Sequence, residues 1–315
     1  MISFDDIGAA AGRVSGRVLR TPAIAAPGLS AEFGRKTVLK LENLQIGGSF
    51  KRRGVLNRLL CLTNEEKKRE LIAVSGGNFG IAMAEACQAL GMALTIILPM
   101  SAPKTSAQRI AASGATVKWE KDVTAAFARA DELAARGYLL IDDCDDTLIA
   151  AGSGTIALEL LETHPEITDI VAAVGGGSMI SGVATASRAM APDVRIWGVE
   201  SSGAEAMTKA IEMGHPVAID VTSAISTLGV PTVSSEFLQC VKNLVEEMVV
   251  VEDRQAYEGV VDFAEKAHVW VEPAAGALIP ATHRIASQLP EDAVVGLVVC
   301  GGNAAVADVI GFLYA

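Results

Sequence analysis

The stretch DIVAAVGGGSMISGVATASRAM, residues 169–190, decides the fold. It opens on a short apolar, β-branched run, passes through Gly175, Gly176, Gly177 and Ser178, and continues with helical spacing. A strand that hands over to a helix through glycines is part of a strand–helix–strand unit. The same alternation extends in both directions. Strand-like runs recur at 37–44, 71–76, 94–99, 115–120, 138–142, 195–201, 246–252 and 293–302, with Ala-rich, helix-spaced segments between them. Near-continuous apolar strands joined by helices imply a mainly parallel sheet covered on both faces, so the fold class is α/β.

The chain has 315 residues, long enough for one large α/β unit or two unequal lobes. Half of it is hydrophobic and a fifth charged, which excludes a disordered or collagen-like chain. Its formal charge of −11 opposes attraction to phosphate backbones or anionic lipid, so no nucleic-acid partner is expected. The N-terminal residues carry acids and lack an export signal, and no apolar run reaches the roughly 18 residues of a membrane span. A cytoplasmic protein is expected. Five scattered cysteines and four dispersed histidines show neither CxxC nor HExxH spacing, which argues for reduced thiols and against a zinc centre.

Three junctions carry the candidate chemistry. The first is the glycine cluster at 175–178, where backbone amides and the positive end of a helix dipole can hold a phosphate. A tight turn explains glycines equally well, and GGGS matches neither GxGxxG nor the P-loop. The second is SGGNFG, Ser75 to Gly80, again between an apolar strand and an Ala-rich helix; it can hold a carboxylate, or Asn78 can simply cap its helix. The third is KLENLQIGGSFKRRG, Lys40 to Gly54, in which Lys51 stands at a helix start where the dipole opposes its charge. A lysine is ordinarily a solvated surface group, and Arg52, Arg53 and Arg58 read as a solvated helix face.

Taken together, these junctions resemble the pyridoxal-phosphate enzymes of the tryptophan synthase β type (fold type II), within them the threonine/serine dehydratases and serine racemases. The resemblance spans nearly the whole chain: RTP (20–22), GSFKRRG, SGGNFG, GSGTIALE (152–159), VGGGSMISG (174–182), GVES (198–201), EPAAGA (272–277) and CGGN (300–303). It implies pyridoxal 5′-phosphate as cofactor, joined to Lys51 as a Schiff base with Phe50 against the ring. Asn78 would bond the ring hydroxyl, Gly175, Gly176, Gly177, Ser178 and Met179 would hold the phosphate, and Cys300 would lie beside the ring nitrogen. The substrate carboxylate would sit on Ser75, Gly76, Gly77 and Asn78, with Phe79 in the same loop.

By the same resemblance the chain is a dehydratase, an ammonia-lyase that turns a β-hydroxy-α-amino acid into a 2-oxo acid and ammonia. Lys51 would take the α-proton and the cofactor phosphate would help the hydroxyl leave. A neutral thiol at Cys300 makes the ring a weak electron sink and favours elimination over transamination. Racemases have Ser at the slot of Gly76, which has no proton to give, and this disfavours racemisation. Relatives read TxADGL where this chain has TSAISTL (222–228); Ile225 then falls on a cation-binding aspartate, leaving Glu200 alone, so no metal is expected. Phe79 replaces a common His and Ser226 a glycine, which suits a larger apolar substrate such as phenylserine, although core packing explains Phe79 as well. The alternatives are a 3-hydroxyaspartate dehydratase, a serine racemase, a β-replacing transferase of the cysteine synthase kind, or a silent cofactor-binding regulator. Two lobes are expected, 1–69 with 146–315 and a smaller one of 70–145, in a homodimer acting on a small amino acid. The end of the chain soon after CGGN leads to the expectation of no regulatory domain.

Overall fold

A computed structural model describes residues 2–315. Among the described residues there are ten strands: β1 (Ala23–Ala25), β2 (Lys36–Leu41), β3 (Leu71–Val74), β4 (Leu94–Pro99), β5 (Thr116–Glu120), β6 (Leu139–Leu140), β7 (Asp169–Ala173), β8 (Arg195–Ser201), β9 (Glu247–Val251) and β10 (Val294–Val299). They form two sheets, one of six strands in the order β1-β2-β10-β7-β8-β9 and one of four in the order β5-β4-β3-β6. Every pairing is parallel except β1 on β2. The four-stranded sheet is built entirely between β2 and β7 in the chain. Among the described residues no helix is long and apolar enough to cross a membrane.

The nine runs expected from sequence are β2 to β10: β4 and β8 have the expected bounds, β2 begins one residue earlier and ends three sooner, and the others are shorter by one to four residues. Strand β1 was not foreseen. It is three residues long, mostly exposed and made of Ala-Ile-Ala, so it offers neither the length nor the β-branched content by which strands are recognised. In the smaller sheet the side-chain alternation is plain. Leu71, Ala73, Ile96 and Leu98 pack on one face with Phe79 and Ile110, while Ile72 and Ile97 meet Ala126, Ala130 and Leu133 on the other.

Three helices bring the junctions together: Lys51–Leu60, Thr147–Thr163 and Ser178–Met190. The middle one packs on both neighbours through glycines. A Cβ on Gly182 would lie 2.2 Å from the Ala150 carbonyl oxygen, and one on Gly152 would lie 2.6 Å from that of Arg53. The backbones therefore approach as closely as these helices permit.

The arginines after Lys51 do not form the solvated face expected of them. Arg52 and Arg53 are buried, because the helix carrying them packs against helices Phe4–Val14, Asn78–Leu90 and Thr147–Thr163. Arg53 makes a bidentate pair with Glu42, through Nε at 2.8 Å and Nη2 at 2.8 Å, and reaches both oxygens of Glu159 at 2.7 and 2.8 Å. Lys40 joins the same group through Glu159 and the Thr21 carbonyl. Two cations and two carboxylates close this network, which is how fully buried charges are tolerated. Arg58 pairs with Asp146 at 2.6 Å.

Candidate active site

The junctions that follow β3 and β7, the end of β10 and the start of helix Lys51–Leu60 open on one cleft of about 850 Å³. Clefts at the C-terminal ends of parallel strands are where α/β proteins bind ligands. Of the residues singled out from sequence, Phe50, Lys51, Ser75 to Phe79, Gly175 to Met179 and Cys300 all line it.

Lys51 is fixed by what precedes it. The Phe50 amide donates to the Cys300 carbonyl at 2.9 Å, the Gly302 amide donates to the Gly48 carbonyl at 3.0 Å, and Ser49 bridges Gly301. The loop before the helix is thus stitched to the end of β10. The Lys51 amine lies 4.9 Å from the centroid of the Phe50 ring and forms an ion pair with Asp143. Burial alone would lower the ammonium pKa, yet the adjacent Asp143 carboxylate outweighs it and leaves the group above the ordinary lysine range.

At the β7 junction, Gly177 is the residue before the helix and has φ +94°, a conformation side chains resist. The first amide bonded back into the helix is that of Ser181, to the Gly177 carbonyl at 3.0 Å, so the amides of the first turn have no acceptor in their own helix. A Cβ on Gly176 would come within 2.9 Å of the Cys144 sulfur, which backs the turn from behind.

The β3 junction is tied differently. Asn78 donates through Nδ2 to Glu272 at 2.8 and 2.9 Å, and its Oδ1 accepts from Asn303 at 2.7 Å. Glu272 is buried, and that burial pushes its carboxyl upward against the hydrogen bonds from Asn78 and the Asn303 amide. The Cys300 thiol is held well above its usual range by burial and by the nearby Glu272, so it is neutral. Phe79 belongs to the core of the smaller sheet and also lines the cleft. Near Gly76 space is tight, since an added Cβ would fall 2.5 Å from that of Ala102.

Glu200 does not face an open coordination sphere. Its oxygens accept from the Met207 amide at 2.8 Å and from the amide and hydroxyl of Thr208 at 2.9 and 2.6 Å, while burial raises its pKa to about 7. Ile225 lies in the larger core.

Asp143 and Glu272 were missed as site residues. Glu272 was visible only as part of the EPAAGA motif, and the acidic run at 142–146 gave no sign of which carboxylate turns toward the amine. Lys51 is the one basic side chain among the described residues lining the cleft, against Asp143, Asp220 and Glu272. The mouth is largely apolar, with Val123 and Phe127 in the helix after β5 and Ile219, Val221 and Pro231 in the segment after residue 213, interrupted by the exposed Asp220.

Residues 14–301 match the family described as pyridoxal-phosphate dependent enzyme. An L-threonine ammonia-lyase from Thermotoga maritima is 32% identical, with 96% of this chain and 76% of the relative covered. A catabolic L-threonine dehydratase from Staphylococcus aureus (strain USA300) is also 32% identical, over 99% and 92% of the two chains. In structure, maize serine racemase superposes with a TM-score of 0.93 at 27% identity, covering 99% of this chain and 97% of that one.

Proposed function

The chain belongs to the pyridoxal-phosphate dependent enzymes, and from that membership we propose that it is a lyase removing water from a β-hydroxy-α-amino acid of the threonine or serine type. The products are a 2-oxo acid and ammonia. The observation that carries the reading is the meeting of the Lys51 amine, the Phe50 ring and two helix N-termini in one cleft. The named functions of the threonine ammonia-lyase and dehydratase relatives support it.

The donor set fits the cofactor. An amine beside an aromatic face suits an aldehyde-bearing ring, and the first-turn amides at Gly175 to Met179 suit its phosphate. In this reading Lys51 would hold the aldehyde carbon, Asn78 the ring hydroxyl, and Cys300 would lie at the ring nitrogen. When bound, pyridoxal phosphate supplies the electron-withdrawing ring that makes the α-hydrogen of an attached amino acid acidic. The Ser75 to Asn78 turn would receive the substrate carboxylate at the start of helix Asn78–Leu90. Lys51, once free, would take the α-proton at Nζ. The neutral Cys300 thiol would offer the ring nitrogen no strong proton donor, and such a site would favour prompt loss of the β-hydroxyl.

The largely apolar mouth and the lack of Arg or His among the described lining residues favour an uncharged or apolar β-substituent over a second carboxylate. The assay that decides is release of 2-oxo acid and ammonia from serine, threonine, phenylserine and 3-hydroxyaspartate, with and without chelator and without added thiol. Turnover of the first three above hydroxyaspartate, unchanged by chelator, is expected. Product formed only with an added thiol would instead identify a β-replacing enzyme.

Racemisation should remain absent even in Gly76→Ser. Its Cβ would meet Ala102, so the substitution costs about 1–3 kcal/mol by overpacking and leaves the new hydroxyl misplaced. Chiral analysis of recovered serine checks this, and accumulation of the D-isomer would contradict it. We also propose a homodimer in the cytoplasm, with lobes of 1–69 plus 146–315 and of 70–145. The grouping of β3 to β6 into their own sheet supports the division into lobes, and the free state of all five cysteines supports a reducing compartment.

A further inference from the structure

We propose that Asp143 is a positioning residue for Lys51: its carboxylate receives the free ε-amine and sets the pH at which that amine becomes available to react. The inference rests on the reading of Lys51 as the cofactor-bearing amine, and it assigns a role to a side chain that sequence patterns did not single out.

The argument begins with how firmly Asp143 is placed. It lies in the turn between β6 and helix Thr147–Thr163. The Ile141 amide donates to the Ile72 carbonyl at 2.9 Å, which fastens the start of the turn to the smaller sheet. Within the turn, the Cys144 amide donates to Asp142 Oδ1 at 2.9 Å. At its end, Asp146 Oδ1 caps the following helix through the amides of Leu148 and Ile149, at 2.9 and 3.3 Å, while Oδ2 accepts from Arg58 Nε at 2.6 Å. Asn57 adds a bond from Nδ2 to the Leu148 carbonyl at 2.7 Å.

Lys51 and Arg58 are two helical turns apart and so share one face of their helix. The turn is therefore joined to that face at two places, Asp143 on Lys51 and Asp146 on Arg58. Asp143 is not a mobile surface acid that has drifted onto a lysine. Its carboxylate fixes where the Lys51 amine sits when that amine is not otherwise engaged.

The other ionisable groups facing the amine cannot substitute for it. From the start of helix Pro273–Gly276, Glu272 is engaged by Asn78 and the Asn303 amide. From the same turn, Cys144 is driven well above the usual thiol range by burial and by the two neighbouring aspartates, and is uncharged. From the end of β10, Cys300 is likewise a neutral thiol. Asp142 is pushed upward, by burial first and then by its acidic neighbours, and it accepts from the Cys144 amide. The carboxylate in contact with Nζ is that of Asp143.

The sign of the effect follows. A carboxylate beside a partly buried amine favours the ammonium, whereas partial burial favours the neutral amine. Asp143→Asn removes the first influence and keeps the second, so Lys51 should lose its proton at lower pH, by about 1–3 units. Only the neutral amine adds to an aldehyde.

The test uses the full chain stripped of cofactor, in wild type, Asp143→Asn, Asp143→Glu and Asp145→Asn, the last as a neighbouring carboxylate that does not touch Lys51. Trace acetylation of Lys51 across pH, read by peptide mass, reports the titration of its amine whatever the chain binds. A downward shift confined to Asp143→Asn, with Asp143→Glu near wild type, is the expected result. Equal midpoints in wild type and Asp143→Asn overturn the proposal, as does an equal shift in Asp145→Asn. Uptake of pyridoxal phosphate by the same proteins, followed by absorbance across pH, should shift in parallel. If acetylation shifts but none of the proteins takes up cofactor, the role of Asp143 stands and the proposed function falls.

Discussion

Lys51→Ala is expected to fold normally and to release ammonia from its best amino acid substrate at least about 10⁴-fold more slowly than the wild type. The magnitude follows from two duties placed on one atom. A positioned base alone contributes roughly 10²–10⁴-fold, and here the same amine would also hold the cofactor. Removing it leaves Asp143 facing a cleft that solvent reaches, since the Lys51 and Asp143 side chains are 20% and 15% exposed, so stability should change little. Borohydride reduction of the wild-type protein followed by peptide mapping should place the label on residue 51, with none retained in the variant. A label elsewhere, or activity within tenfold of wild type, would remove the basis of the proposed chemistry.

The second large effect concerns stability. Arg53→Ala should destabilise the protein by about 3–5 kcal/mol, because it leaves Glu42 and part of Glu159 as buried carboxylates without their main partner. Arg53 is completely buried, and the network around it gives the guanidinium no alternative contact with water. Burial disfavours ionisation of Glu159, but the hydrogen bonds and charge of Arg53 prevail and hold its carboxyl below the usual range. Denaturant unfolding of Arg53→Ala, Glu42→Gln and the double variant supplies a cycle that isolates the pair. The double variant should be less unstable than the sum of the two. A loss under about 1 kcal/mol for Arg53→Ala would place it among exposed ion pairs, contrary to the geometry.

The comparison of these two residues shows what was legible in the sequence. Lys51 could be found only through the family resemblance that GSFKRRG carries, since by itself a lysine at a helix start reads as a solvated charge. Two residues on, Arg53 looked like any solvated arginine, because its partners are Glu42, in the turn after β2, and Glu159 and Thr155, on a helix about a hundred residues away in the chain. Most of the strands β2 to β10 were readable as short apolar, β-branched runs, β5 with its alternating Val117 and Trp119 being the least apolar. That they divide into two sheets was anticipated only through the family resemblance, because strand periodicity carries no information on which strands pair. The glycine turns of the cleft were equally plain, whereas Asp143 and Glu272 were not. Their importance comes from the groups they face, and pairing across 92 and 194 residues leaves no local trace.

The close glycine contacts among helices Lys51–Leu60, Thr147–Thr163 and Ser178–Met190 carry a consequence for how this scaffold can diversify. With Gly152 and Gly182 admitting no added atom, the reactive floor tolerates almost no drift in side-chain volume. The segments bearing Val123, Phe127, Ile219 and Val221 are under no such restriction, since three of these four side chains are more than a third exposed. New substrate preferences in descendants of this chain will accordingly be written at the rim, on a chassis that stays unaltered underneath.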